Sequence, residues 1–299
     1  MNKLFPLSLI TCLGIVGCIH TDIEPEVANK LVVHGHRGSR GTHPENTLPA
    51  FQEAVNSGAK VIEFDIQITG DQNLVISHDP DITDRLCSKG THETFIAPIP
   101  IHKMNVAQIK EFDCGSRPQD TFPEQITVLN TPLITLDEFF EWAKKNVPKP
   151  IRFNIETKMK PASDDWVADP TQFAKALYDQ LIKHEMKDRV IVQSFDFRTL
   201  TAIKELDKTI ETSCLFESSR RFCRETHDAG AQWASPNYNY VTEREVRACH
   251  SLGIKVAPWT VNSESQWATM LFHGVDAIIT DYPRKLVNYV KAIQADTKR

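Results

Sequence analysis

Eight short apolar runs, separated by stretches whose apolar residues repeat with helical spacing, leave this chain few folds to choose from. The runs are Leu31–His34, Lys60–Ile66, Ile151–Glu156, Val190–Gln193, Ile210–Phe216, Trp233–Ser235, Ile254–Pro258 and Ala277–Thr280. Several are almost unbroken, as expected of parallel strands covered on both faces. The helices between them carry their own signals. Leu48, Phe51 and Val55 share a face, with Pro49 tolerable in the first turn and Gly58 as a stop. Thr135 with Glu138, Thr242 with Glu245 and Ser263 with Gln266 have the spacing of capping boxes. Leu286, Val287, Val290 and Ile293 form the stripe of a last helix. Eight strand–helix units point to a closed (β/α)8 TIM barrel rather than an open doubly wound sheet.

One interval breaks the rhythm. Residues 67–134, between the second and third barrel strands, open with an extended run, Leu74 to Ser77, and then turn polar and proline-rich. Pro80, Pro98, Pro100, Pro118, Pro123 and Pro132 exclude long elements there. A structureless loop of that length would be anomalous in a compact domain, so residues 80–130 are expected to be an insertion folded over the C-terminal mouth of the barrel.

The first residues read as a targeting segment. Lys3 precedes an apolar run from Leu4 to Val16, short for a bilayer span but suited to an export signal. The run ends in Ile15-Val16-Gly17-Cys18, which resembles a bacterial lipoprotein signal with Cys18 as the lipid-modified residue; ordinary secretion is the alternative. The expected division is a signal over residues 1–17, a linker over 18–30 and one barrel domain over 31–296. Without the signal the net charge moves from −5 to −6, because Lys3 is lost. No basic stripe is present, which argues against nucleic acid as partner. Export permits disulfides among Cys87, Cys114, Cys214, Cys223 and Cys249; the odd number leaves at least one unpaired, and Cys87 with Cys114 could staple the insertion. No Cys-x-x-Cys spacing supports structural zinc or dithiol chemistry.

Polar residues gather at the predicted strand ends, where a barrel places its active site. His34 and His36 belong to the first strand end, followed by Arg37; Glu63 and Asp65 share one side of the second strand; His78 and Asp79 follow the Leu74–Ser77 run. Asn154, Glu156 and Lys158 repeat the period of two on the third, Gln193 closes the fourth, Trp259 ends the seventh and Asp281 follows the eighth. Isolated carboxylates in such apolar strands would cost several kcal/mol each, on the order of the penalty for an unsatisfied buried charge. Three acids facing one interior are relieved by a hard divalent cation, Ca²⁺ or Mg²⁺, since the ligands are oxygens; zinc with histidine help is a second option. The bland reading is a salt-bridge network through Arg37 and Lys158. His36 and His78 suit paired proton transfer near neutral pH, while His34 reads as a hydrogen-bonded neighbour.

Taken in order, these motifs resemble the glycerophosphodiester phosphodiesterase family, of the phospholipase C-like barrels. The resemblance rests on His36-Arg37-Gly38, Pro44-Glu45-Asn46-Thr47, Glu63-x-Asp65, His78-Asp79, Asn154-x-Glu156-x-Lys158, Gln193-Ser194-Phe195, Trp259-Thr260-Val261-Asn262 and Gly274 through Pro283. It implies that His36 and His78 are the acid–base pair and that Glu63, Asp65 and Glu156 hold the metal. Arg37, Lys158, Gln193 and Trp259 would then contact substrate. Gln72 stands where the family commonly has glycine. The implied reaction is hydrolysis of a glycerophosphodiester to sn-glycerol 3-phosphate and an alcohol, outside the cytoplasm, in the periplasm or on the outer membrane. The implied partner is a small molecule, with membrane contact only through the anchor. A phospholipase D-like or phosphoinositide-cleaving barrel acting on intact lipid, or a non-catalytic binding protein, are the competing readings.

Overall fold

A computed structural model describes residues 25–90 and 95–296; the proposed export signal and Cys18 lie outside the described residues. After a short helix, Pro25–Lys30, come eight parallel barrel strands. They are β1 (Val32–Gly35), β2 (Val61–Ile68), β3 (Arg152–Thr157), β4 (Val190–Ser194), β5 (Glu211–Phe216), β6 (Trp233–Pro236), β7 (Lys255–Val256) and β8 (Ala277–Thr280). They hydrogen-bond in the order β7-β6-β5-β4-β3-β2-β1-β8. Backbone bonds from Asp276 N to Val256 O (3.1 Å) and from Ile279 N to Pro258 O (3.0 Å) close the ring between β7 and β8. The fold is the expected (β/α)8 barrel. β7 is shorter than its apolar run because Pro258 has no N–H to continue the ladder.

Each strand is followed by a helix: α1 (Leu48–Ser57), α2 (Leu136–Asn146), α3 (Pro170–Lys183), α4 (Phe197–Leu206), α5 (Phe222–Asp228), α6 (Glu243–Ser251), α7 (Glu264–Phe272) and α8 (Pro283–Asp296). Thr135 and Ser263 make reciprocal capping boxes with Glu138 and Gln266. Thr242 accepts from the backbone of Glu245. Gly58, at φ 87°, ends α1 in the left-handed conformation that glycine adopts without strain. Phe51, Phe64, Phe139 and Phe153 are fully buried where α1 and α2 meet β2 and β3, and the Phe64 and Phe139 rings lie 4.5 Å apart. Burial of each contributes roughly 1.5–3 kcal/mol, which anchors the two strands that carry the acids.

The interval after β2 is folded, in short pieces. Leu74–Ile76 returns antiparallel to β2. Two small ladders follow, Asp81–Ile82 with Ile99–Pro100 and Ser88–Lys89 with Phe112–Asp113. A Cys87–Cys114 disulfide joins the second pair across its own apolar cluster, which includes Val75, Ile82, Ile101, Phe112 and Leu133. The insertion meets the loop that follows β1, where Gln125 bonds Arg40 O and Ile126 N bonds Thr42 O. Cys223 pairs with Cys249, tying α5 to α6, and Cys214 is buried and free.

Gln72 occupies the turn between β2 and its antiparallel partner at φ 62°, the region that disfavours side chains with a Cβ. Gln72→Gly should therefore stabilise the fold by about 0.5–1 kcal/mol, the left-handed penalty less glycine's extra chain entropy. Chemical denaturation would measure it; a less stable variant would mean that the Gln72–Gln172 side-chain contact outweighs the strain.

Candidate active site

The parallel register assembles the acids. Asp65 on β2 is level with Glu156 on β3, which is level with Gln193 on β4; Glu63 and Asn154 pair one step below. Strand alternation turns all five side chains into the barrel, toward its C-terminal end. Glu63, Asp65 and Glu156 are buried, and each offers an oxygen within 4.8 Å of the others. The chain leaves β1 through a tight turn in which Arg37 has φ 49° and Gly38 φ 84°. A Cβ on Gly38 would come within 2.6 Å of the Ala50 backbone, so only glycine lets α1 pack this close to the turn.

That turn sets the position of His36. His36 Nδ1 lies 2.6 Å from Asp281 Oδ1, because Asp281 directly follows β8, the neighbour of β1. Arg40 holds both carboxylate oxygens of Asp281, and Asn262 donates to Oδ2 at 2.7 Å. An ionised carboxylate only accepts, so His36 carries its proton on Nδ1 and presents the lone pair of Nε2 to the pocket. Burial pushes the imidazole down to about 4 against the opposing pull of Asp281, so His36 is neutral at pH 7. His78 is built the same way, with Nδ1 2.8 Å from Asp79 Oδ1 and Asp79 held by Arg85. Burial lowers His78 as well, while Asp65 and Asp79 pull it back up.

The three acids differ in how they are satisfied. Burial would raise Asp65, but Lys158, His78 and Arg37 together hold it far below the usual carboxylate range, and Asn46 donates to it at 2.9 Å. Glu156 touches Lys158 Nζ at 2.6 Å, yet burial and the charge of Asp65 still push it up to about 7. Glu63 receives the Arg37 backbone N–H (2.8 Å) and the Gln193 amide (2.7 Å). Among the described residues no lysine or arginine side chain forms an ion pair with it, and burial beside Asp65 lifts its carboxyl well above normal. The salt-bridge reading thus holds for Glu156 and Asp65 and fails for Glu63. Glu45, Glu63, Asp65, Glu156 and Asp281 face Arg37, Arg40 and Lys158, an excess of two negative charges when all are ionised. An all-oxygen donor set short of two positive charges fits one hard divalent ion.

His36, Arg37, Arg40, Glu63, His78, Glu156 and Lys158 line a pocket of about 300 Å³ together with Lys160, Phe195, Glu217 and Trp259. Trp259 is fixed by its Nε1 bond to Ser235 O (2.7 Å) and an edge-on contact with Phe195. Arg37 pairs with Glu45 at 2.7 Å. The structure brings His36, His78, Arg37, Lys158, Gln193, Trp259 and Glu156 to this one pocket, with Glu63 at its floor and Asp65 just beneath. Gln193 holds Glu63, its carbonyl taken by Asn154. His34 is elsewhere: it lines the opposite mouth of the barrel and lacks the hydrogen bond expected of it. Sequence reasoning named Glu45 and Asn46 only as part of a motif, and passed over Arg40 and the part played by Asp281. The signal for Asp281 was available, since an acid directly after the eighth strand of a closed barrel must lie beside the end of the first.

A glycerophosphoryl diester phosphodiesterase family model matches residues 36–285. A glycerophosphodiester phosphodiesterase from Caldanaerobacter subterraneus is 29% identical over 265 residues, covering 88% of this chain and 98% of its own. One from Bacillus subtilis is 27% identical, with 85% of each chain covered. A crystal structure assigned as a glycerophosphoryl diester phosphodiesterase from Silicibacter pomeroyi superposes with a TM-score of 0.81 at 26% identity, covering 90% of this chain and 94% of that one. The fold is shared also with an Oleispira antarctica phosphodiesterase solved with sn-glycerol 3-phosphate, at a TM-score of 0.71 and 24% identity, covering 89% of this chain and 99% of that one. This chain therefore belongs to the glycerophosphoryl diester phosphodiesterase family of enzymes.

Proposed function

We propose that the enzyme hydrolyses glycerophosphodiesters to sn-glycerol 3-phosphate and an alcohol, using one Ca²⁺ or Mg²⁺ held by Glu63, Asp65 and Glu156. The observation that carries this reading is the convergence of three buried carboxylates, one without a cationic partner, between two histidines that each lean on an aspartate. When bound, the ion supplies Lewis-acid charge to the phosphate and to the attacking hydroxyl. Arg37 and Lys158 neutralise the non-bridging oxygens; Lys158 is released for this when Glu156 has another counter-charge. His36, neutral with Nε2 4.0 Å from Glu63, takes the proton of the nucleophile. His78 gives one to the leaving alkoxide from its imidazolium form, which Asp65 and Asp79 favour against burial.

In the route that this pairing favours, the glycerol 2-hydroxyl loses its proton to His36 and attacks phosphorus. The bond to the headgroup oxygen breaks, that oxygen takes the His78 proton, and a cyclic phosphate forms. Water then opens the ring with the two histidines in reversed roles. A substrate lacking the 2-hydroxyl should be cleaved at least tenfold more slowly, a modest fraction of the gain available to an intramolecular nucleophile. Equal rates, with no cyclic species by phosphorus NMR, would leave direct attack by water.

The pocket is small and ringed by charge, which suits a deacylated diester better than a lipid with two acyl chains. Chelated enzyme should be inactive on glycerophosphocholine and recover when Ca²⁺ or Mg²⁺ is restored; full activity after chelation would remove the ion from the reading. Export with a lipid on Cys18 is part of the same proposal, supported by the Ile15-Val16-Gly17-Cys18 sequence. Palmitate labelling that is lost in Cys18→Ala is the expected result, and an unlabelled wild type would exclude the anchor.

A further inference from the structure

The N-terminal mouth of the barrel, opposite the active site, opens on a second pocket of about 390 Å³. Its wall holds His34, which is 1% exposed and whose two ring nitrogens have no hydrogen-bond partner among the described residues. A buried polar group left in that condition is costly, so a side chain kept there points to something in the pocket that it bonds. The imidazole is neutral, since burial, with the charge of Arg152 in addition, pushes it to about 3. It therefore has one N–H to donate.

Charge around the pocket has one sign in excess. Lys60, Arg152 and Lys255 stand at its edge, at or beside the first residues of β2, β3 and β7. Two carboxylates offset them: Asp276, engaged by His250 and the Val256 N–H, and Glu211, engaged by Arg152 and the Trp233 indole at 2.7 Å. One positive charge remains among these groups, in a chain whose net charge is −5. Lys255 lies over the Trp233 ring, 4.9 Å from its centroid, so its ammonium is held at the rim. The Arg152 Nε, buried, has no partner among the described residues.

We propose that this mouth is a second anion site, built for a phosphate group that takes the His34 N–H at its floor and the lysine and arginine charges at its rim. The phosphate can come from a soluble phosphate ester or from an anionic phospholipid headgroup. Pro25–Lys30 brings the chain in at this same end, and six residues separate Cys18 from Pro25, a reach of about 20 Å when extended. An anchor on Cys18 would thus present this mouth to the bilayer and turn the active site away from it.

Inorganic phosphate titrated calorimetrically into the full chain is expected to fill two sites, one at each end of the barrel. The double variant Lys60→Gln/Lys255→Gln changes exposed side chains far from the acids. It should keep wild-type turnover of glycerophosphocholine and bind phosphate at the lower mouth at least tenfold more weakly. His34→Leu should weaken the same site without lowering the melting temperature. One phosphate per chain in the wild type, or two with unchanged affinity in the double variant, would overturn the proposal. Flotation separates the sources. Binding to phosphatidylglycerol but not phosphatidylcholine vesicles, lost in the double variant, assigns a lipid headgroup; a second phosphate site without such binding assigns a soluble ester.

Discussion

His36→Ala should lower kcat on glycerophosphocholine by roughly 10²–10⁴-fold, the usual contribution of a positioned proton-transfer group. Its melting temperature should stay close to that of the wild type. The reason lies in the partners that survive: Asp281 keeps Arg40 and Asn262, so the substitution leaves no buried charge alone. Asp281→Asn should approach the same loss of kcat by another path. A neutral amide can donate to Nδ1 and turn the imidazole to the wrong tautomer, as loss of the orienting aspartate does in hydrolase triads. The two variants together separate proton transfer from packing. His36→Ala within a factor of three of wild-type turnover would remove it as the base.

The second large effect concerns the acids. Glu156 lies at about 7 in the folded chain against an ordinary 4.5, so a neutral Glu156 stabilises the metal-free protein fully below pH 4.5. That contribution falls away as pH rises through about 7. The gap corresponds to about 3 kcal/mol, most of it lost by pH 8. Glu156→Gln does not titrate and keeps the side chain's volume beside Lys158. Without metal it should match the wild type near pH 5 and melt about 5 °C higher at pH 8. Its affinity for Ca²⁺ or Mg²⁺ should fall at least tenfold, because a charged ligand is gone. A variant less stable than the wild type at pH 8 would mean that the Lys158–Glu156 pair outweighs the crowding of the acids. Function and stability pull apart at this residue, as strained polar sites commonly require.

Much of this was legible in the chain itself. Strand alternation alone places Glu63 with Asp65, and Glu156 with Lys158, and the eight apolar runs fall within a residue or two of the eight observed strands. The shortest, β7, ends at Val256, two residues before the proline that apolar composition had drawn into the run. Contacts between distant segments were harder. The His36–Asp281 dyad spans nearly the whole chain and becomes visible only once closure puts β8 beside β1. The Cys223–Cys249 pair depends on how α5 and α6 pack, which spacing does not state.

The most direct test is a calorimetric titration of the chelated enzyme with Ca²⁺ or Mg²⁺ at pH 6.5, repeated in buffers of different ionisation enthalpy. One ion per chain, releasing between about one and two protons as the raised carboxyls of Glu63 and Glu156 ionise, is the expected result, with both signals lost in Glu63→Ala. Binding that survives Glu63→Ala unchanged, or no binding to the wild type, would contradict a cation at the centre of this site.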